Sequence, residues 1–327
     1  MDDHKSTSLA KFSRGLFGTL LLAATVLLTA CTQQSQERLY VGTNIWPGYE
    51  PGYIAESQGL YKTGQIQMRQ FSSATEVLRA FRNDSIHVAA LTLDEALQLA
   101  QNDPEIVVFL VADISDGADV IMAKPSISNV AELKGKTIAA EGTALGAFVI
   151  SRALQIADID PQSLTIESMT VDESIVAYEE NRIDAVVTFE PFRSKLLRQG
   201  AKEIFNSKAI PNEIVDVLVT KRSIIDNNEE TLRDLTQGWL SAIQLIKTQP
   251  NVTDPLIAKR LELDIKEVDS AFEGLILPDS NRNLSMLGGS NPSLIAVADS
   301  LQNVLKEKDL LSHEVNTKIL FESRLLP

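Results

Sequence analysis

The chain has 327 residues, 44% of them hydrophobic, with 30 basic against 44 acidic residues, a formal net charge of −14 and a single cysteine. That length fits about two domains of ~150 residues, and the apolar fraction excludes a disordered or collagen-like chain. One cysteine excludes an internal disulfide and a cysteine-built zinc site, and the acid excess argues against a nucleic-acid partner, whose phosphates need clustered Lys and Arg.

The first residues differ from the rest. Lys5, Lys11 and Arg14 precede an apolar run at 16–28 (LFGTLLLAATVLL), shorter than the ~20 residues of a membrane-spanning helix. A basic start, a short apolar stretch and small residues at its end predict a signal peptide over 1–30. The run closes on Leu28-Thr29-Ala30-Cys31, which resembles the bacterial lipobox. Cys31 is therefore the expected lipidation site (palmitate-type acylation), with 31–37 as a polar tether to an extracytoplasmic, periplasm-facing body. The alternative is an ordinary secretory cut beside a chance cysteine.

Downstream, strand and helix signals alternate. Strands are predicted at 39–42, 66–71, 87–91 and 106–112. Between them, Ser73/Glu76 and Thr92/Glu95 form capping-box patterns at the starts of two helices. The rhythm restarts with strands at 137–140, 164–169, 184–188 and 202–205 and helices at 144–157, 172–180 and 191–199. Such alternation predicts mostly parallel sheets covered by helices. From 220 onward the pattern is helical: 229–248, 254–262, 265–272 and 292–308. Two similar segments, Asp119-Val120-Ile121-Met122-Ala123 and Asp216-Val217-Leu218-Val219-Thr220, border the second unit. They suggest an inserted lobe, 124–215, within a first lobe made of 38–118 and 221–327, with 119–123 and 216–220 as crossover hinge strands.

Asn44-Ile45-Trp46-Pro47-Gly48-Tyr49, Leu133-Lys134-Gly135-Lys136-Thr137, and Asp184-Ala185-Val186 followed by Glu190-Pro191-Phe192 resemble, in order and spacing, the substrate-binding proteins of ABC importers. The group that handles nitrate, taurine, alkanesulfonates and thiamine-pyrimidine precursors is the most similar, over about residues 38–310. The resemblance implies an α/β, two-lobe type II periplasmic-binding-protein-like fold. It also implies a small-molecule ligand in the cleft between lobes, and delivery to an ABC permease and ATPase complex by a protein expected to be a monomer.

Ligands of open α/β sheets sit at the carboxyl ends of strands. That rule selects Trp46 and Tyr49 after the first strand, Ser72 and Ser73 after the second, and Thr92 and Asp94 after the third. In the second unit it selects the loop at 141–143, with Thr143, and then Glu190 and Phe192. Asp119 and Asp216 join them as charges leading apolar strands, which must reach solvent, a partner or a ligand. Each has a plainer role open to it. Ser73 and Thr92 serve as helix caps, Asp94 and Glu190 as helix-start acids, Trp46 as loop packing, and Asp119 and Asp216 as hinge contacts. A simple anion prefers free N–H groups at a helix start, as at 142–146. Four carboxylates on one cleft (Asp94, Asp119, Glu190, Asp216) favour a ligand that is cationic or rich in hydrogen-bond donors.

No catalytic residues are assigned and no cofactor or metal is expected. His87 and His313 stand away from the strand-end loops, no nucleophile–base constellation is visible, and 142–146 lacks the end of a P-loop. Two alternatives stay open: a ligand-sensing lipoprotein docking on a membrane receptor, and an enzyme of the same fold.

Overall fold

A computed structural model describes residues 38–327; the signal peptide, the lipidation at Cys31 and the tether expected from sequence lie outside the described residues. In chain order the strands are β1 (Leu39–Thr43), β2 (Ile66–Gln70), β3 (Val88–Thr92), β4 (Ile106–Ser115), β5 (Val120–Ala123), β6 (Thr137–Ala140), β7 (Thr165–Ser168), β8 (Ala185–Thr188), β9 (Lys202–Asn206), β10 (Val215–Lys221) and β11 (Leu275–Ile276). They form a sheet of order β11-β4-β10-β3-β1-β2 and a second of order β7-β6-β8-β5-β9. The central strands β3, β4, β5 and β8 are buried along their whole length. Continuous apolar runs such as Ile-Val-Val-Phe-Leu-Val-Ala in β4 are what a sheet covered on both faces demands.

Helices α1 (Glu50–Ser57), α2 (Ala74–Arg82) and α3 (Leu93–Ala100) belong to the first lobe. Helices α4 (Ala144–Ile156), α5 (Val171–Glu179) and α6 (Phe192–Arg198) belong to the second. The first lobe is completed by α7 (Arg222–Thr248), α8 (Pro250–Leu261), α9 (Ile265–Phe272), α10 (Ser280–Leu287) and α11 (Ser293–Glu307). Helix α7 starts seven residues before the 229 expected from sequence, across a kink at Asn228 (φ −136°, ψ 29°). Pro250 starts α8 rather than breaking the chain, because a proline lacks only an N–H that the first turn leaves unpaired anyway. Helices α1 and α10 carry weak helix signals, with Pro51 and Gly52 in one and two asparagines in the other, and packing imposes them.

The two look-alike segments are not a pair of crossover strands. Segment 119–123 belongs to the second sheet, where β5 runs antiparallel to β8 and β9. Segment 216–220 belongs to the first, where β10 runs antiparallel to β3 and β4. The chain crosses between lobes at 116–119 and again at 207–214. The likeness has a physical reason: each segment is the first strand laid down after a crossing, itself buried and antiparallel to a neighbour on either side. Both therefore need the same apolar composition behind one leading acid.

Candidate functional site

The first loop is built around a tight approach. Trp46 is buried and its Nε1–H donates to Asp113 Oδ2 at 2.9 Å. Gly48 lies beneath that bond, where a β-carbon would come within 1.8 Å of Asp113 Oδ2 and 2.5 Å of Trp46 Nε1. Only glycine lets the Trp46-Pro47-Gly48-Tyr49 turn close over the end of β4. The Tyr49 hydroxyl donates to Asp216 Oδ1, and its own ionisation is pushed well up by burial and by the surrounding acids Asp216, Asp113 and Glu95.

Register gathers the acids. Because β10 is antiparallel, its first residues meet the carboxyl ends of β3 and β4. Asp216 lies opposite Thr92 on one side and Asp113 on the other. Like charges directly across a ladder repel. Burial first, and then this repulsion, drives Asp216 well above the usual carboxylate range; Asp113 is pushed up to about 8 chiefly by burial. Asp119 leads β5 from the other lobe and is raised to about 7, again mainly by burial, with Asp94 adding to it.

Helix α3 adds two more. Glu95 Oε2 accepts the Thr92 N–H at 3.1 Å, the glutamate half of the capping box read from sequence, while Thr92 Oγ1 is left without a partner. Glu95 is nonetheless buried beside Asp94 and raised to about 8. Asp94 is buried too and raised to about 6 by desolvation, against hydrogen bonds that favour its charge.

These elements face one another across a cleft of about 550 Å³, counted out to its open mouth. From the first lobe come Asn44, Trp46, Tyr49, Thr92, Glu95 and Asp216; from the second come Asp119, Glu141, Thr143, Gly146 and Phe189, with Leu145, Val171 and Val187 as apolar wall. Two contacts between the lobes stand beside the cleft. Trp46 meets Phe189 edge to face at 5.3 Å between centroids. Thr75, in the first turn of α2, donates its N–H and its hydroxyl to Glu141 Oε1 at 2.8 and 2.7 Å. Gly146 has no room for a β-carbon, which would sit 2.3 Å from the Glu141 carbonyl oxygen, so α4 can start hard against the Glu141 loop.

Of the residues selected from sequence, Trp46, Tyr49, Thr92, Asp119, Thr143 and Asp216 line this cleft. The others do not. Ser73 is spent on capping α2, accepting the Glu76 N–H at 3.3 Å, and Ser72 donates its hydroxyl to Glu76 at 2.9 Å. Asp94 is buried behind the lining. Glu190 turns away, accepting from Arg193 and from the Ser194 N–H and hydroxyl, each at 3.1 Å. Phe192 braces Phe189 from behind at 5.8 Å. Glu141, in the loop that the strand-end rule selected, lines the cleft as well, whereas reasoning from sequence passed over Asp113, Glu95 and Phe189. The strand-end rule covers Asp113 once β4 is extended to Ser115. Glu95 was read as a cap alone, which uses only one of its two oxygens. Among the described residues no group of His, Cys, Asp and Glu has the arrangement of a metal site.

The profile of the NMT1-like family matches residues 32–261. The taurine-binding periplasmic protein of Escherichia coli (strain K12) is 22% identical over 209 residues, 62% of this chain and 65% of that protein, just under two thirds of its length. Among solved structures, the alkanesulfonate-binding protein SsuA from Xanthomonas axonopodis pv. citri bound to MOPS is 15% identical, covers 85% of this chain and 95% of that one, and superposes with a TM-score of 0.72. The desulfurization enzyme DSZB shares the fold at 11% identity, covering 88% and 97% of the two chains, with a TM-score of 0.65. The two-lobe α/β architecture is thus common to binding proteins and to an enzyme.

Proposed function

The chain belongs to the NMT1-like family, and we propose that it is an extracytoplasmic solute-binding protein that captures a small organic ligand between two lobes and hands it to an ABC importer. One observation carries this reading. The cleft has walls from both lobes, and the chain passes between the lobes at 116–119 and 207–214, the arrangement in which closure and ligand burial are one event. Its likeness to a taurine-binding periplasmic protein supports the same role. In this reading the lobes are 38–115 with 215–327, and 120–206, and the body acts as a monomer. Cys31 holds the lipid, residues 31–37 are the tether, and the mature protein stays on the outer face of a membrane beside its permease. Trp46, Tyr49, Thr92, Asp119, Thr143 and Asp216 contact ligand.

The test starts from full-length protein isolated from its own host. Native mass spectrometry is expected to find a carried-over solute. That solute, added at a hundredfold excess over Kd, stabilises the protein by about 2.7 kcal/mol and is recovered chemically unchanged. A strain lacking the chain loses its uptake. Recovery of a converted product instead supports an enzyme of this fold, and unimpaired uptake supports docking on a signalling receptor.

A further inference from the structure

The chemistry of the cleft is one-sided. Glu95, Asp119, Glu141 and Asp216 line it, and among the described lining residues there is no Lys, Arg or His. Asp94 and Asp113 stand behind them, also buried. Burying carboxylates without a counter-charge is unfavourable, and a buried oxygen without a donor adds to the cost. Three such oxygens belong to lining residues, Thr92 Oγ1 and two carboxylate oxygens. Glu95 Oε1 and Asp119 Oδ2 have no hydrogen-bond partner although the residues are 1% and 2% exposed. Only the Thr143 hydroxyl stands near Glu95 to favour its charge, so both oxygens are open to N–H or O–H donors of a ligand.

An anion finds only the start of α4 free of acids, and there the lining carboxylates Glu95, Asp119, Glu141 and Asp216 would repel it. The start of α2 is already occupied by Glu141, which accepts from Thr75, and the start of α3 by Glu95, which accepts from Thr92. The chain's own carboxylates sit where a ligand's anionic group would otherwise bind. Besides the acids, Trp46, Phe189, Val187 and Leu145 give the cleft an apolar, partly aromatic lining.

We propose that the cleft takes a small organic cation bearing N–H donors, a primary ammonium or an amidinium on an apolar or planar body, with Glu95 and Asp119 as its acceptors. The inference rests on the solute-binding reading and supplies its ligand class. It also carries a proton consequence. Glu95 faces Asp94, Glu141, Asp216 and Tyr49, and Asp119 faces Asp94, Asp113 and Asp216, so only acidic groups surround either one. The empty cleft therefore holds protons at neutral pH. A bound cation replaces them, the protons leave to solvent, and affinity rises with pH.

Titration calorimetry of the full-length protein tests this with benzylamine and benzamidine as cations and methanesulfonate and nitrate as anions. It is run at about pH 6 and pH 8 in buffers of differing ionisation enthalpy. At least one cation is expected to bind, to release protons, and to bind about tenfold more tightly per pH unit for each proton released. Glu95→Gln and Asp119→Asn are each expected to weaken it by about 10- to 100-fold, the loss of a hydrogen bond to a charged group. Both variants should keep the circular dichroism and the melting temperature of the unliganded protein, or raise the latter. Failure of both cations overturns the ligand class; if an anion binds at the same time, the solute-binding reading survives alone. Cation binding without proton release and indifferent to both variants places the cation elsewhere, and likewise overturns the proposal. If no probe binds and no carried-over solute is found, the solute-binding reading falls as well.

Discussion

Asp113 shows how one residue can tie the first loop to the cleft. One oxygen accepts from Trp46 through the gap that Gly48 leaves, while the other has no partner. Such groups titrate far from their ordinary values, and the sign of the consequence is fixed by linkage. Glu95 is lifted from 4.5 to about 8 in the folded protein, mainly by burial. Between those two values the native state holds a proton that the unfolded chain has released, so stability is greatest below this window and falls as pH rises through it. The ligand-free protein is expected to melt at a higher temperature near pH 6 than near pH 9. Replacing Glu95 by Gln should flatten that slope, by at most about 1.4 kcal/mol per pH unit for the one group removed. Calorimetric melting across that range reads it directly, and an unchanged slope in the variant would show that Glu95 does not titrate there.

At the scale of elements, the start of α1 depends on a partner from far along the chain. Glu50 is 1% exposed, and Arg260 of α8 donates to both its oxygens at 3.2 and 3.0 Å while lying 3.3 Å above the ring of Tyr53. Burial still dominates, raising Glu50 to about 7 against the pull of Arg260. Arg260→Met removes the counter-charge and the ring contact together. The expected loss is about 3 kcal/mol at pH 8, where Glu50 must be buried as an unpaired charge. At pH 5 Glu50 is neutral and only about 1 kcal/mol, the share of the ring contact, is lost. Denaturant unfolding at the two pH values separates these contributions, and equal losses would assign the whole effect to packing. Two distant helices are thereby held together beside the loop that carries Trp46.

For the whole molecule, closure rests on a few contacts between lobes. Glu141 reaches from the second lobe to cap α2 of the first through Thr75, and Trp46 packs on Phe189. Arg198 and Glu267 add an ion pair at 2.6 Å that is half exposed on the arginine side and so contributes little. Glu141→Ala should weaken closure by about 1.5–3 kcal/mol, the worth of a hydrogen bond to a charged group. The unliganded variant is expected to show a larger radius of gyration in small-angle X-ray scattering than the parent chain. No change would mean that the latch does not hold the lobes together.

The alternation of apolar strands with capped helices is local information, and it was legible in the sequence from β1 through β9. Strand ends and the Ser73 and Thr92 caps were readable for the same reason, since period and capping chemistry act within a few residues. The Trp46-to-Tyr49 loop was legible as a site because strand-end position is also local. What each acid does was not. Asp94, Glu95 and Glu190 all follow strand ends, yet only Glu95 turns an unpartnered oxygen into the cleft, while Glu190 is satisfied by Arg193 and Ser194. Nor could sequence separate β5 from β10, because both meet the same demand for a buried antiparallel strand. Sequence by itself determined the elements and the family resemblance. Tertiary structure alone decided which sheet each strand joined and which carboxylates came to share one cleft, because the register that sets Asp216 beside Thr92 and Asp113, far along the chain, depends on long-range burial that no short motif records.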